Sequence, residues 1–162
     1  VGAQLGNIIS GNVIGVELSS FSLNLEVQPN RVLRNLIGTD GSGVVGQGNL
    51  IGIFINGLSG NFIGLPGAGN VISGNSEAGI QIINSLSTEN FIRGNIIGLG
   101  SDGTTVFRPR NASNNQALFQ QIGVAIEAAS NNTIGGMAAG EGNVIAGNDQ
   151  AGVYILGRGG SP

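Results

Sequence analysis

The chain has 162 residues, a net charge of −3 and an isoelectric point near 4.6, which argues against nucleic-acid binding because that needs a dense basic patch. Only 9% of residues are charged, and Cys and His are absent, so disulfides, thiol chemistry and the usual zinc ligands are excluded. Glycine makes up 31 of the 162 residues, far above the typical ~7%. Yet 40% of the chain is apolar, and Ile, Val and Leu fall at regular places, which points to a packed fold and away from a disordered tract.

Two signals alternate along the chain. Asn7-Ile8-Ile9 and Asn12-Val13-Ile14 lead into Gly15-Val16-Glu17-Leu18. After a break at residues 21–34 come Asn35-Leu36-Ile37, Asn49-Leu50-Ile51 and Gly52-Ile53-Phe54-Ile55. Asn61-Phe62-Ile63, Asn70-Val71-Ile72 and Gly79-Ile80-Gln81-Ile82 follow, then Asn90-Phe91-Ile92 and Asn95-Ile96-Ile97. A second break at residues 104–121 precedes Gly123-Val124-Ala125-Ile126, Asn132-Thr133-Ile134, Asn143-Val144-Ile145 and Gly152-Val153-Tyr154-Ile155.

Side chains on a strand alternate faces, so Ile80 and Ile82 are expected inside and Gln81 outside. β-branched residues favour strands, and Gly or Asn bounds each run as turns require. The strands are expected to be about four residues long. No stretch keeps helical apolar spacing without Gly or Pro, so no long helix is expected.

Each Gly-apolar-x-apolar copy is taken to mark one rung, which gives about five rungs of three short strands, with six or seven as the alternative. Asparagines at a fixed turn position are expected to stack from rung to rung and share hydrogen bonds. The second position of Asn-x-Ile is apolar in nearly every copy. It forms either an outward apolar row, which calls for a covering loop or another chain, or a corner bend that turns both neighbours inward. The corner bend is the preferred reading.

The strings Gly69-Asn70-Val71-Ile72-Ser73-Gly74-Asn75, Asn132-Thr133-Ile134-Gly135-Gly136 and Gly142-Asn143-Val144-Ile145-Ala146-Gly147-Asn148 resemble the repeats of bacterial right-handed parallel β-helix proteins. Gly94-Asn95-Ile96-Ile97-Gly98 and Asn35-Leu36-Ile37-Gly38 are similar to them too. The resemblance implies an all-β, right-handed, pectate-lyase-like solenoid. It also implies a secreted or cell-surface location. Residues 1–157 are expected to form one β-helix domain, a segment of a larger protein, and residues 158–162 a linker-like tail.

The fold hosts unrelated functions, so chemistry has to be sought in residues. Asp40 and Asp102 occupy matching places in the repeat, with Arg108 and Arg110 on the nearby insertion. These four are the best catalytic candidates if the chain is an enzyme, but the preferred reading is that each Asp-Gly pair is turn chemistry and that no residue is catalytic. Phe54 and Tyr154, with Arg108 and Arg110, are the candidate sugar-binding residues. No metal site and no cofactor are expected beyond incidental Ca²⁺ at an Asp-Gly turn, and no membrane span, because no apolar run approaches ~18 residues. The favoured function is a non-catalytic structural or adhesive solenoid that self-associates or joins flanking β-helix segments, with end-to-end fibres as one outcome. The alternatives are a polysaccharide lyase or hydrolase and a carbohydrate-binding module.

Overall fold

The computed structural model describes residues 6–20, 29–107 and 120–157. Among the described residues there are fourteen strands and no helix. The first coil runs through β1 (Ile8–Ile9), β2 (Ile14–Ser19) and β3 (Arg31–Val32), and the second through β4 (Leu36–Ile37), β5 (Ile51–Asn56) and β6 (Phe62–Ile63). The third holds β7 (Val71–Ile72), β8 (Ala78–Ile83) and β9 (Phe91–Ile92), and the fourth β10 (Ile96–Ile97), β11 (Ile122–Glu127) and β12 (Thr133–Ile134). The fifth holds β13 (Val144–Ile145) and β14 (Ala151–Leu156).

Every strand pairs in parallel with its counterpart one coil away, which builds two five-stranded sheets and one four-stranded sheet. This is a parallel β-helix of five coils. The five Gly-apolar-x-apolar copies are its long strands, one per coil, as the repeat implies. The strands are two or six residues long, where the sequence pattern suggests about four. Parallel pairing extends each long strand past the visible alternation, and the sharp corners cut the others short.

The core is a set of apolar columns. Ile9, Ile37, Ile72, Ile97 and Ile145 stack on the first sheet. On the second, Leu18, Ile55, Ile82, Ile126 and Ile155 form one column beside Val16, Ile53, Ile80, Val124 and Val153. Val32, Ile63, Ile92 and Ile134 complete it on the third. No single coil could bury these side chains alone, so stability comes from stacking.

The preferred corner-bend reading of Asn-x-Ile is corrected by these columns. On the first and third sheets the third-position residue points inward and the second points outward. Ile8 and Val144 are exposed, and Val71, Ile96, Phe62 and Phe91 are half-buried. Leu36 is buried in spite of its outward position, because the loop carrying Gly43 folds against its Cδ2. The outward row is therefore partly met by a covering loop.

The corners are held by asparagines. Asn7, Asn35, Asn70, Asn95 and Asn143 form one column, and Asn30, Asn61, Asn90 and Asn132 a second. In both, the backbone N–H and the Nδ2 of each asparagine donate to the Oδ1 of the asparagine in the next coil. The third column is Asn12, Asn49, Asn75, Gln120 and Asn148, with Gln120 serving where the fourth coil lacks an asparagine. A backbone N–H can only donate, so the orientation of those amides is unambiguous.

Candidate functional site

Asp40 and Asp102 lie on two loops that leave the first sheet after β4 and β10, two coils apart. Each loop closes with an antiparallel bridge, Thr39 with Gly46 and Leu99 with Val106. The third coil has no such loop at this corner, because β7 runs directly through residues 73–75 toward β8. The two loops therefore meet across it. Ser101 N donates to Gly43 O at 2.8 Å, and Ser101 Oγ donates to Ser42 O at 3.1 Å. Phe107, buried, packs beside Gly46.

Each carboxylate is held by its own loop. Asp40 Oδ1 accepts from Ser42 Oγ at 2.5 Å, Ser42 N at 3.1 Å and Val45 N at 3.3 Å. Asp102 Oδ2 accepts from Thr105 Oγ1 at 2.5 Å, and its Oδ1 from Thr105 N at 2.8 Å and Thr104 N at 2.9 Å. These donors favour the ionised form. The Ser42 hydroxyl, followed by the backbone amides, lowers the Asp40 pKa, and the Thr105 hydroxyl and the adjoining amides hold Asp102 well below the usual carboxylate range. A glycosidase general acid needs a shift in the opposite direction. Arg108 and Arg110 lie outside the described residues. No group of three or more His, Cys, Asp or Glu among the described residues is placed to hold a metal ion. No helix among them is long and apolar enough to cross a membrane.

Phe54 and Tyr154 share one outward row of the second sheet, which reads Glu17, Phe54, Gln81, Ala125, Tyr154 from coil to coil. Gln81 and Ala125 separate them, so the rings stand three coils apart, roughly 14 Å at a strand spacing of ~4.8 Å. They do not form one stacking platform.

Among the described residues, the aromatic contact that forms lies on the third sheet and involves residues the sequence reading did not select. Phe62 and Phe91 stack with centroids 5.2 Å apart and planes 16° from parallel. Arg31, one coil before Phe62, places its guanidinium 5.5 Å from that ring, and Arg93 lies 4.8 Å from the centre of Phe91. Arg93 also pairs with Glu141 at 2.5 Å, and Arg34 donates to Gly67 O at 3.2 Å. All three arginines of the described residues thus sit on the third sheet or the corner after it. The ring faces are already occupied, by each other and by guanidiniums. The signal for this stack was the repeated Asn-Phe-Ile at residues 61–63 and 90–92.

The chain matches no family model, no curated protein and no solved structure. The fold itself defines the class: a parallel β-helix solenoid whose coils are joined by three amide columns.

Proposed function

We propose that this chain is a non-catalytic structural or adhesive β-solenoid of an extracellular or cell-surface protein. The observation that carries this reading is the run of the amide columns from coil to coil, two of them through all five coils and one through four. The buried polar side chains at the corners bond coil to coil, so the chain's polar chemistry is used in building a rod. The two best-placed carboxylates support the same reading, because each already accepts hydrogen bonds from its own loop that hold it ionised. Sparse charge and a surface rich in Asn, Ser and Gly fit an exported protein. The resemblance to bacterial pectate-lyase-like repeats supports this location.

The test is incubation with a panel of neutral and uronic-acid polysaccharides, following new reducing ends and unsaturated products. No turnover is expected. Release of either product, lost on Asp102→Asn, would establish the lyase or hydrolase alternative.

A further inference from the structure

Asn56-Gly57 is the one Asn-Gly pair of the chain. Asparagine is among the thermolabile residues, and glycine, having no side chain, leaves its own nitrogen unshielded. That nitrogen can attack the Asn56 Cγ. It sheds its proton, ammonia leaves, and a five-membered imide forms. Water then opens the imide to aspartate, or to isoaspartate, whose backbone is one methylene longer. The net change turns an amide and water into a carboxylic acid and ammonia. Most ladder asparagines carry a bulky neighbour instead, as in Asn35-Leu36, Asn61-Phe62 and Asn70-Val71.

The fold places this pair under four restraints. Asn56 ends β5, and Gly57 turns the corner with φ +72°. Gly57 N donates to Ser87 Oγ at 2.8 Å, and Ser87 Oγ donates to Ile83 O at 2.6 Å. Ser87 belongs to the next coil and is fully buried. Asn56 Oδ1 accepts from Asn84 Nδ2 at 3.2 Å, and Asn56 O accepts from Ser20 N at 3.0 Å. Asn56 is also in register with Ser19 on one side and Ile83 on the other. Imide closure needs the Cβ of Asn56 and the nitrogen of Gly57 on the same side of the Cα–C bond. The extended backbone of a strand keeps them apart. Closure also needs that nitrogen to lose the proton it shares with Ser87.

We propose that Asn56-Gly57 is a deamidation site that the neighbouring coil keeps closed. Ser87 holds the Gly57 N–H, and Asn84 holds the Asn56 amide. A chain opened at this corner reacts, and the stacked coils do not. An isoaspartyl link there lengthens the end of β5 and breaks the register of residue 56 with Ser19 and Ile83.

The experiment incubates the full chain at mildly alkaline pH and follows the peptide containing residue 56 by mass spectrometry, which separates amide from acid. The chain unfolded in urea is expected to deamidate at Asn56 at least about tenfold faster than the folded chain. Folded Ser87→Ala is expected to react roughly two- to tenfold faster than wild type, the effect of one lost hydrogen bond. Ile97→Val, a core truncation on the first sheet, is expected to lower the urea midpoint and keep the wild-type rate, which separates local protection from a general loss of stability. Equal rates in the folded and unfolded wild type overturn the proposal. So does a folded Ser87→Ala chain that reacts no faster than wild type, or an Ile97→Val chain that reacts as fast as Ser87→Ala. If Ser87→Ala does not fold, hydrogen exchange of the Gly57 amide in the wild type decides. Slow exchange supports the proposal, and exchange at the unfolded rate overturns it.

Discussion

Asn61 directs its backbone N–H and its Nδ2 to a single atom, Asn90 Oδ1, at 3.0 and 2.7 Å. Both residues are fully buried. Asn90 in turn donates its Nδ2 to Leu58 O and Asn132 Oδ1. Asn90→Ala leaves two buried donors of Asn61 short of their acceptor, and each such donor costs about 1–3 kcal/mol. The expected loss is about 2–6 kcal/mol in urea unfolding. Asn7→Ala, at the first coil, removes one side-chain donor and strands no buried group, so a loss of about 1 kcal/mol or less is expected. Equal losses at the two positions would show that the ladder is not the source.

Gly38 has φ +87°, and a Cβ there would run into the Ser73 carbonyl oxygen and the Asn75 side chain. Gly98 repeats the arrangement two coils later with φ +89°. Gly38→Ala therefore combines a left-handed backbone with a clash against the neighbouring coil, and a loss above about 1 kcal/mol is expected. Gly142 is the control, since nothing lies within 4 Å of its Cβ position. Gly142→Ala is expected to change the urea midpoint little or to raise it slightly.

The coil count was legible because Gly-apolar-x-apolar has a steric cause. At Gly52 a Cβ would meet Gly79 O at 2.5 Å and Ile72 Cγ2 at 3.1 Å, so the small residue recurs once per coil. Strand length was not legible, because alternation shows only where both faces differ in polarity, while pairing extends through Asn56 and Ile83. Gln120 escaped notice because the column was read by residue name. The needed property is a side-chain amide two residues before Ile-Gly, and Gln120-Gln121-Ile122-Gly123 supplies it. Phe62 and Phe91 lie 29 residues apart and become neighbours only when the second and third coils are assigned their length. Asp40 and Asp102 fall on corresponding loops after β4 and β10, but the hydrogen bonds that hold each within its own loop depend on loop conformation, which the periodicity does not encode.

Position along one apolar column should set the cost of truncation. Ile82, in the middle coil, is fully buried, and Ile155, in the same column, is 67% exposed. Ile82→Ala is expected to cost about 2–5 kcal/mol. Ile155→Ala, measured at a concentration where the chain is monomeric, is expected to stay within about 0.5 kcal/mol. A Val153→Ala variant belongs between them. Chemical denaturation at fixed low concentration checks the gradient.

The Asp102 loop should show its hydrogen bonds as a titration. The folded pKa lies below the unfolded value of about 3.9. Its contribution is therefore fully present above the unfolded pKa and is lost as pH falls through the folded one. The amide resonances of Thr104 and Thr105 are expected to hold their neutral-pH positions down to about pH 4 and to move only in more acid solution. The leading cause is the Thr105 hydroxyl, so Thr105→Val is expected to raise the midpoint toward about 3.9. Asp102→Asn should abolish the titration while keeping an oxygen to accept from the Thr104 and Thr105 amides. Ser42→Ala is expected to raise the Asp40 midpoint by the same logic, since the Ser42 hydroxyl is the largest cause there. A Thr105→Val chain whose amides still titrate as in wild type would mean that the backbone donors alone set the shift.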